Sequence, residues 1–258
     1  MERPVTGNLA AGKRQLTLTE NYEALCEEAV RRILSLSAEK IEACGRFTLL
    51  LSGGTTPEGV YSLMAGPRYR DRFRWNKIHF FWGDERCVPA DDPKSNYRTA
   101  DEALFSKVAV PRRNLHPITT TGLDPTQAAA RYERELQSFF RVKSKPPCFD
   151  LILLGLGKDG HTASLFPGDP ALSEKERWVV PVMRKEADPP QRITVTLPVI
   201  NQAEDVFFLV SGVEKAAILK RVLEGKSQDL LPAQRVQPSH GKVLWVADQA
   251  AASLLDRV

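Results

Sequence analysis

An open, doubly wound α/β sheet, mostly parallel and with helices on both faces, is the fold class this sequence predicts. Three observations lead to it. Apolar runs of strand length alternate with segments of helical period along the chain. The runs are apolar at consecutive positions, as in strands buried on both faces. Glycine-containing polar clusters follow directly on several of the runs, where a sheet of this kind gathers its ligand-binding loops. A single domain over residues 1–258 is expected, because no internal repeat, low-complexity tract or long linker divides the chain.

The elements follow in order. Between residues 19 and 37, Ala24, Leu25, Ala29, Val30, Ile33 and Leu34 form a stripe at helical spacing. Phe47 to Leu51 is a short apolar run that stops at Ser52-Gly53-Gly54, and it reads as a buried strand. A helix from Pro57 to Ala65 is expected next, with Thr56 as N-cap and Pro57 at the first helical position. Ile78 to Trp82 is the following strand, and Ser95 to Val108 reads as helical. Pro125 to Phe140 is an amphipathic helix capped by Asp124. Leu151 to Leu154 is a strand ending at Gly155, and Val179 to Met183 and Ile193 to Leu197 are read as further strands. Val206 to Val210 is a strand, followed by a helix from Val213 to Leu223 that Gly225 ends. Lys226 to Gly241, with two prolines, is the expected long loop, and Val243 to Ala247 is the last strand before a short helix to Leu255.

Composition narrows the function. The chain has 258 residues, 42% hydrophobic and 26% charged, which is ordinary for a globular protein. Its net charge of +4 comes from basic residues scattered among acids, not gathered in a stripe, so no nucleic-acid partner is expected. Cys26, Cys44, Cys87 and Cys148 are far apart and form no C-x-x-C pair, which argues against a thiolate metal site or a disulfide framework and for a reducing compartment. Met1 to Gln15 lacks the apolar stretch of a signal peptide. No apolar run approaches the roughly 18–20 residues of a membrane span. A cytoplasmic protein with no membrane partner is the expectation.

Four clusters carry the chemistry. Leu51-Ser52-Gly53-Gly54-Thr55-Thr56-Pro57 lies between a strand and a helix start, where exposed N–H groups and the helix dipole favour a phosphate. It is not a P-loop, since the G-K-[ST] ending is missing. Trp82-Gly83-Asp84-Glu85-Arg86 puts three charges directly after a strand, and Arg86 is suited to hold an anion bidentately. Gly155-Leu156-Gly157-Lys158-Asp159-Gly160-His161 matches G-x-G-x-x-G, but Pro167, Gly168 and Pro170 interrupt any crossover helix after it, and the dinucleotide fingerprint does not explain His161. An imidazole two residues from Asp159 on a glycine-flanked turn suits general base and general acid work. No H-x-x-x-H or H-E-x-x-H pair supports zinc, and no G-x-S-x-G elbow supports a serine triad. In Ser211-Gly212-Val213-Glu214-Lys215, Lys215 falls in a helix's first turn, where a cation opposes the dipole and an anion would compensate.

In order and spacing these segments, with Ser95-Asn96-Tyr97-Arg98, Thr162-Ala163-Ser164-Leu165-Phe166-Pro167 and Arg192-Ile193-Thr194-Val195-Thr196-Leu197-Pro198, resemble the 6-phosphogluconolactonase family over nearly the whole chain. The resemblance implies the fold shared with glucosamine-6-phosphate deaminases, the substrate 6-phospho-D-glucono-1,5-lactone, the product 6-phosphogluconate, a place in the oxidative pentose phosphate pathway, and no cofactor or obligatory metal. His161 is expected as general base, oriented by Asp159 or Asp84, with Arg86 or a backbone N–H near Gly157 at the oxyanion. The resemblance implies a phosphate site of Ser52, Gly53, Gly54, Thr55, Arg192 and Lys215. A monomer or weak homo-oligomer is expected. The alternative within the fold is an amino-sugar-phosphate deaminase or isomerase. Those enzymes resemble this chain at the Gly-Gly turn and at Asp-Gly-His but carry a second acid after the histidine, where this chain has apolar Leu165 and Phe166, and Asp-Glu-Tyr in place of Asp84-Glu85-Arg86. A third possibility, a non-catalytic sugar-phosphate-binding regulator, would need a DNA-binding segment, and the sequence has none.

Overall fold

The computed structural model describes residues 5–8, 14–226 and 229–256. The sequence readings on Met1 to Gln15 and on the 226–241 loop therefore lie partly outside the described residues. Within them, eight strands form one sheet: β1 (Val5–Asn8), β2 (Arg14–Thr19), β3 (Phe47–Leu51), β4 (Ile78–Trp82), β6 (Leu115–His116), β7 (Leu151–Leu154), β10 (Asp205–Val210) and β11 (Lys242–Asp248), in the order β1-β2-β11-β10-β7-β3-β4-β6. Every pairing is parallel except β1 with β2. All five residues of β3 and all four of β7 are buried, which is why their apolar runs do not alternate.

The helices cover the sheet. Helix α1 (Tyr22–Cys44) turns Leu25, Cys26, Ala29, Val30, Ile33 and Ile41 inward. The Asn21 side chain accepts from the Ala24 N–H at its start, and Gly45 at φ 77° closes it two turns beyond the stripe seen in the sequence. Helix α4 (Pro125–Phe140) has the expected Asp124 cap, completed to a capping box by Gln127. Helix α2 (Thr55–Ala65) differs from expectation: it begins two residues earlier, and its N-cap is Gly54, not Thr56. Glycine at φ 105° lets the chain leave β3 and enter the helix through a turn of only three residues. The region read as one helix from Ser95 is a short α3 (Asn96–Ala100) followed by a π turn over Asp101–Phe105.

The largest departure is a second sheet. Strands β8 (Val179–Met183) and β9 (Gln191–Val195) do not join the parallel sheet; they pair antiparallel with each other, and β9 pairs antiparallel with β5 (Asp84–Arg86). The chain thus crosses from the main sheet to the small one at Gly83, where a Cβ would lie 2.7 Å from the Leu50 side chain. Short helices α5 (Leu197–Ile200), α6 (Ala216–Glu224) and α7 (Gln249–Ala252) complete the cover. Running outward from the centre, β3, β4 and β6 go one way and β7, β10 and β11 the other. The order therefore reverses between β3 and β7, and a crevice opens there beyond their carboxyl ends.

Candidate active site

All ten residues singled out as site candidates line one cleft of about 510 Å³ at that reversal: Ser52, Gly53, Gly54 and Thr55 after β3, Asp84 and Arg86 beyond β4, Asp159 and His161 after β7, Arg192 from β9 and Lys215 after β10. Four parallel strands and the small sheet each deliver one group of them.

The loop after β7 is built around His161. Its Nδ1 lies 2.5 Å from Asp159 Oδ1, and its backbone N–H also donates to that oxygen at 3.1 Å. Burial acts to raise the Asp159 carboxyl, but the His161 N–H, the neighbouring imidazole charge and the side-chain hydrogen bond outweigh it and hold it below its ordinary range. The loop is pinned by Gly157 N–H to His161 O at 2.8 Å, Gly160 N–H to Gly157 O at 2.9 Å, and Thr162 Oγ1 to Gly155 O at 2.9 Å. The Gly157 amide itself is used in this way and is not free to face an oxyanion. The Phe166 ring packs on the imidazole with centroids 4.5 Å apart and lies beneath both Arg184 and Arg192, at 5.1 and 5.7 Å.

Asp84, one of the two acids that the sequence reading offered as partner to His161, is bonded elsewhere. Its Oδ2 accepts from Ser164 Oγ at 2.6 Å, and its Oδ1 and backbone oxygen accept from Asn96 Nδ2 at 3.2 and 2.9 Å. Asp159 alone of the two acids is hydrogen-bonded to the imidazole. The neighbouring Glu85 is buried and accepts the N–H groups of Arg86, Asn96 and Tyr97 and the Ser95 hydroxyl, so it fixes the loop and faces away from chemistry. Burial pushes its carboxyl upward despite those donors.

In register, Arg86 stands directly opposite Arg192 on β5 and β9. Like charges facing across strands repel. Both Nε–H groups are buried and lack a partner among the described residues. Burial, with Arg86 beside it, holds the Arg192 guanidinium below its ordinary range against the pull of Asp84. Arg86 spends one Nη on the Lys94 carbonyl at 2.6 Å. On the far side, Lys215 caps α6 and donates to the Leu156 carbonyl at 2.8 Å; burial lowers its ammonium, with Lys158 adding to the effect and Glu214 and Asp159 opposing it. Three cations thus converge on a cleft whose floor is the Ser52–Thr55 turn. An anionic ligand with several oxygens is the chemistry this arrangement selects.

Sequence reasoning gave no part to Asn96 and Ser164, and it read Phe166 only as the lack of an acid, although all three stand in motifs it quoted. They act on residues 5 to 80 positions away, and no local spacing reports that. Among the described residues, no group of three or more His, Cys, Asp or Glu side chains is arranged to hold a metal ion, and no helix is long and apolar enough to cross a membrane.

The chain is similar to proteins of known activity. A family model described as glucosamine-6-phosphate isomerases/6-phosphogluconolactonase matches residues 20–245. A 6-phosphogluconolactonase of Synechocystis sp. is 42% identical over 243 residues, covering 93% of this chain and 98% of that protein. The crystal structure of 6-phosphogluconolactonase from Thermotoga maritima superposes with a TM-score of 0.79 at 34% identity, over 92% of this chain and all of that one. A monomeric glucosamine-6-phosphate deaminase, at 24% identity and TM-score 0.77 over 93% of this chain and 99% of that one, shares the fold.

Proposed function

Because the chain belongs to the glucosamine-6-phosphate isomerase/6-phosphogluconolactonase family, we propose that it hydrolyses 6-phospho-D-glucono-1,5-lactone to 6-phosphogluconate in the oxidative pentose phosphate pathway. The observation that carries this reading is an imidazole locked to one carboxylate, in a cleft with three half-buried cations, with the apolar Phe166 ring packed on it.

Nδ1 of His161 is engaged by Asp159, which leaves Nε2 to take a proton from water as the water oxygen attacks the lactone carbonyl carbon. The carbonyl electrons move onto oxygen, and the Arg86 guanidinium stabilises that oxyanion. When the intermediate collapses, the bond to the ring oxygen breaks. The imidazolium returns its proton to that oxygen, which becomes the C5 hydroxyl. The new carboxylic acid then loses its proton to solvent. Asp159 stabilises the imidazolium in between. No cofactor enters, since a lactone is an ester activated enough for water and one base. The substrate phosphate sits on the Ser52–Thr55 turn against Lys215 and Arg192, and its binding holds the ring in place for attack.

The related deaminase chemistry requires opening an aldose ring, moving a proton at C2 and expelling ammonia. It needs an acid near the histidine, and Phe166 fills that space with an apolar ring. The test mixes the protein with freshly generated 6-phosphogluconolactone and follows acid release against the spontaneous rate, beside an ammonia assay on glucosamine 6-phosphate. Accelerated acid release with no ammonia is expected. Ammonia from the amino sugar would overturn the choice of reaction. We further assign the enzyme to the cytoplasm, a setting that the four free cysteines suit, as a monomer or weak homo-oligomer without nucleic-acid or membrane partners.

A further inference from the structure

We propose that Ser164 is a positioning residue for phosphate recognition: through Asp84 it holds Arg192, against the repulsion of Arg86, in the place where it grips the substrate's phosphate. This rests on the function proposed above. Ser164 is fully buried, and its hydroxyl donates to Asp84 Oδ2 at 2.6 Å. Its backbone N–H donates to Thr194 Oγ1 at 3.2 Å. Thr194 is the residue directly opposite Asp84 in the β5–β9 pairing, two positions from Arg192. One serine therefore ties the His161 loop to both strands that carry the arginines.

The backbone is shaped to present it. Ala163 just before it takes the left-handed conformation at φ 48°, and Leu165 N–H closes back on Thr162 O at 3.0 Å. A non-glycine residue is held there only when its surroundings require it. The consequence is electrostatic. Arg86 and Arg192 face each other and repel, and Asp84, two residues before Arg86 on the same strand, is the negative charge that attracts Arg192. Asp84 can do so only from a fixed position. Its Oδ1 is held by Asn96, whose own side chain packs against Gly53 so closely that a Cβ there would meet Oδ1 at 2.0 Å. Its Oδ2 is held by Ser164. Without the hydroxyl the carboxylate is free to rotate on that side, and Arg192 loses its fixed place, while Arg86 stays on the Lys94 carbonyl and His161 stays on Asp159.

The test uses the full-length enzyme and three variants: Ser164→Ala, Asp84→Asn and the double variant. Removing one buried hydrogen bond of this kind should raise KM for the phosphorylated lactone about tenfold in Ser164→Ala. We expect kcat to stay within about twofold, and both constants for unphosphorylated gluconolactone to do the same. In the Asp84→Asn background the same serine change should add less than about twofold, because the charge that Ser164 positions is already lost. Calorimetric titration with inorganic phosphate reads the same loss without turnover. A wild-type enzyme that fails to hydrolyse the lactone would therefore sink the proposed function, while the phosphate titration would still decide the role of Ser164. Equal losses on both lactones, unchanged phosphate affinity in Ser164→Ala, or full additivity in the double variant would each overturn it.

Discussion

His161 owes its place to a missing carbon atom. A Cβ on Gly157 would lie 2.1 Å from His161 Nδ1, inside the space where the Asp159 hydrogen bond forms. The middle glycine of the G-x-G-x-x-G run is thus there to admit an imidazole. The third, Gly160, turns the chain at φ 86° over Leu231. The literal match to a dinucleotide fingerprint came from a different steric need. Two substitutions separate base from orientation. His161→Ala should lower kcat on the phosphorylated lactone by about 10²–10⁴-fold, the range of a lost general base. Gly157→Ala keeps the imidazole but displaces it, and a misplaced catalytic group should cost about 10²-fold in kcat with KM changed far less. Steady-state kinetics on both variants checks this; near-normal kcat in either would remove His161 from the chemistry or Gly157 from its support.

At the scale of elements, the strand ends were readable and the small sheet was not. Phe47–Leu51 and Leu151–Leu154 stand out because a strand buried on both faces must be apolar throughout and must then stop at polar, flexible residues. The pairing of β5 with β9 leaves no such trace: Asp84–Arg86 is three charged residues long, and its partner lies more than 100 positions later. Thr56 looked like a cap because its type is right, yet the glycine two places before it had the backbone freedom the junction required. Besides packing against it, helix α4 ties the small sheet through one carboxylate. Glu133 Oε2 accepts the N–H groups of Trp178 and Val179 at 2.7 and 3.0 Å, both on buried residues at the start of β8. Glu133→Ala leaves both donors unsatisfied, which should cost on the order of 2–4 kcal/mol. For a chain of this size that is a fall in Tm of roughly 5–12 °C. Since β9 carries Arg192, KM for the phosphorylated lactone should rise in the same variant. Scanning calorimetry showing an unchanged Tm would mean that the small sheet holds without this link.

Across the whole molecule the two ends of the sheet divide the work. The carboxyl ends carry the cleft, whereas titratable groups near the amino ends take no part in the proposed chemistry and act on stability. His79, near the start of β4, is lowered from 6.5 to about 4 by burial first, then by His116, Arg46 and Arg113; His116 is in turn bonded to Glu135. Asp205, at the start of β10, is raised from 3.8 to about 6 by burial, with Glu204 and Glu39 adding to it and Lys242 and Lys40 opposing. The two work against each other in acid. As pH falls from 6.5 to 4, the unfolded chain protonates His79 before the folded protein does, so this group's contribution to stability is lost. Over the interval from 6 to 3.8 the folded protein protonates Asp205 first, so that contribution is gained. The wild-type curve should therefore stay flatter between pH 6.5 and 4 than either group alone would make it. Single variants uncouple them. Asp205→Asn removes a buried charge near neutrality, so its Tm should exceed that of the wild type most at pH 7 and lose that advantage toward pH 4. His79→Phe should behave in the opposite sense, its Tm gaining on the wild type as the pH is lowered. Each swing should amount to about 1–2 kcal/mol once the partial exposure of both groups is allowed for, or a few degrees in Tm. Thermal unfolding of the three proteins from pH 7 to pH 4 gives the answer: variant curves that run parallel to the wild type would show that neither group titrates differently in the folded and unfolded chain.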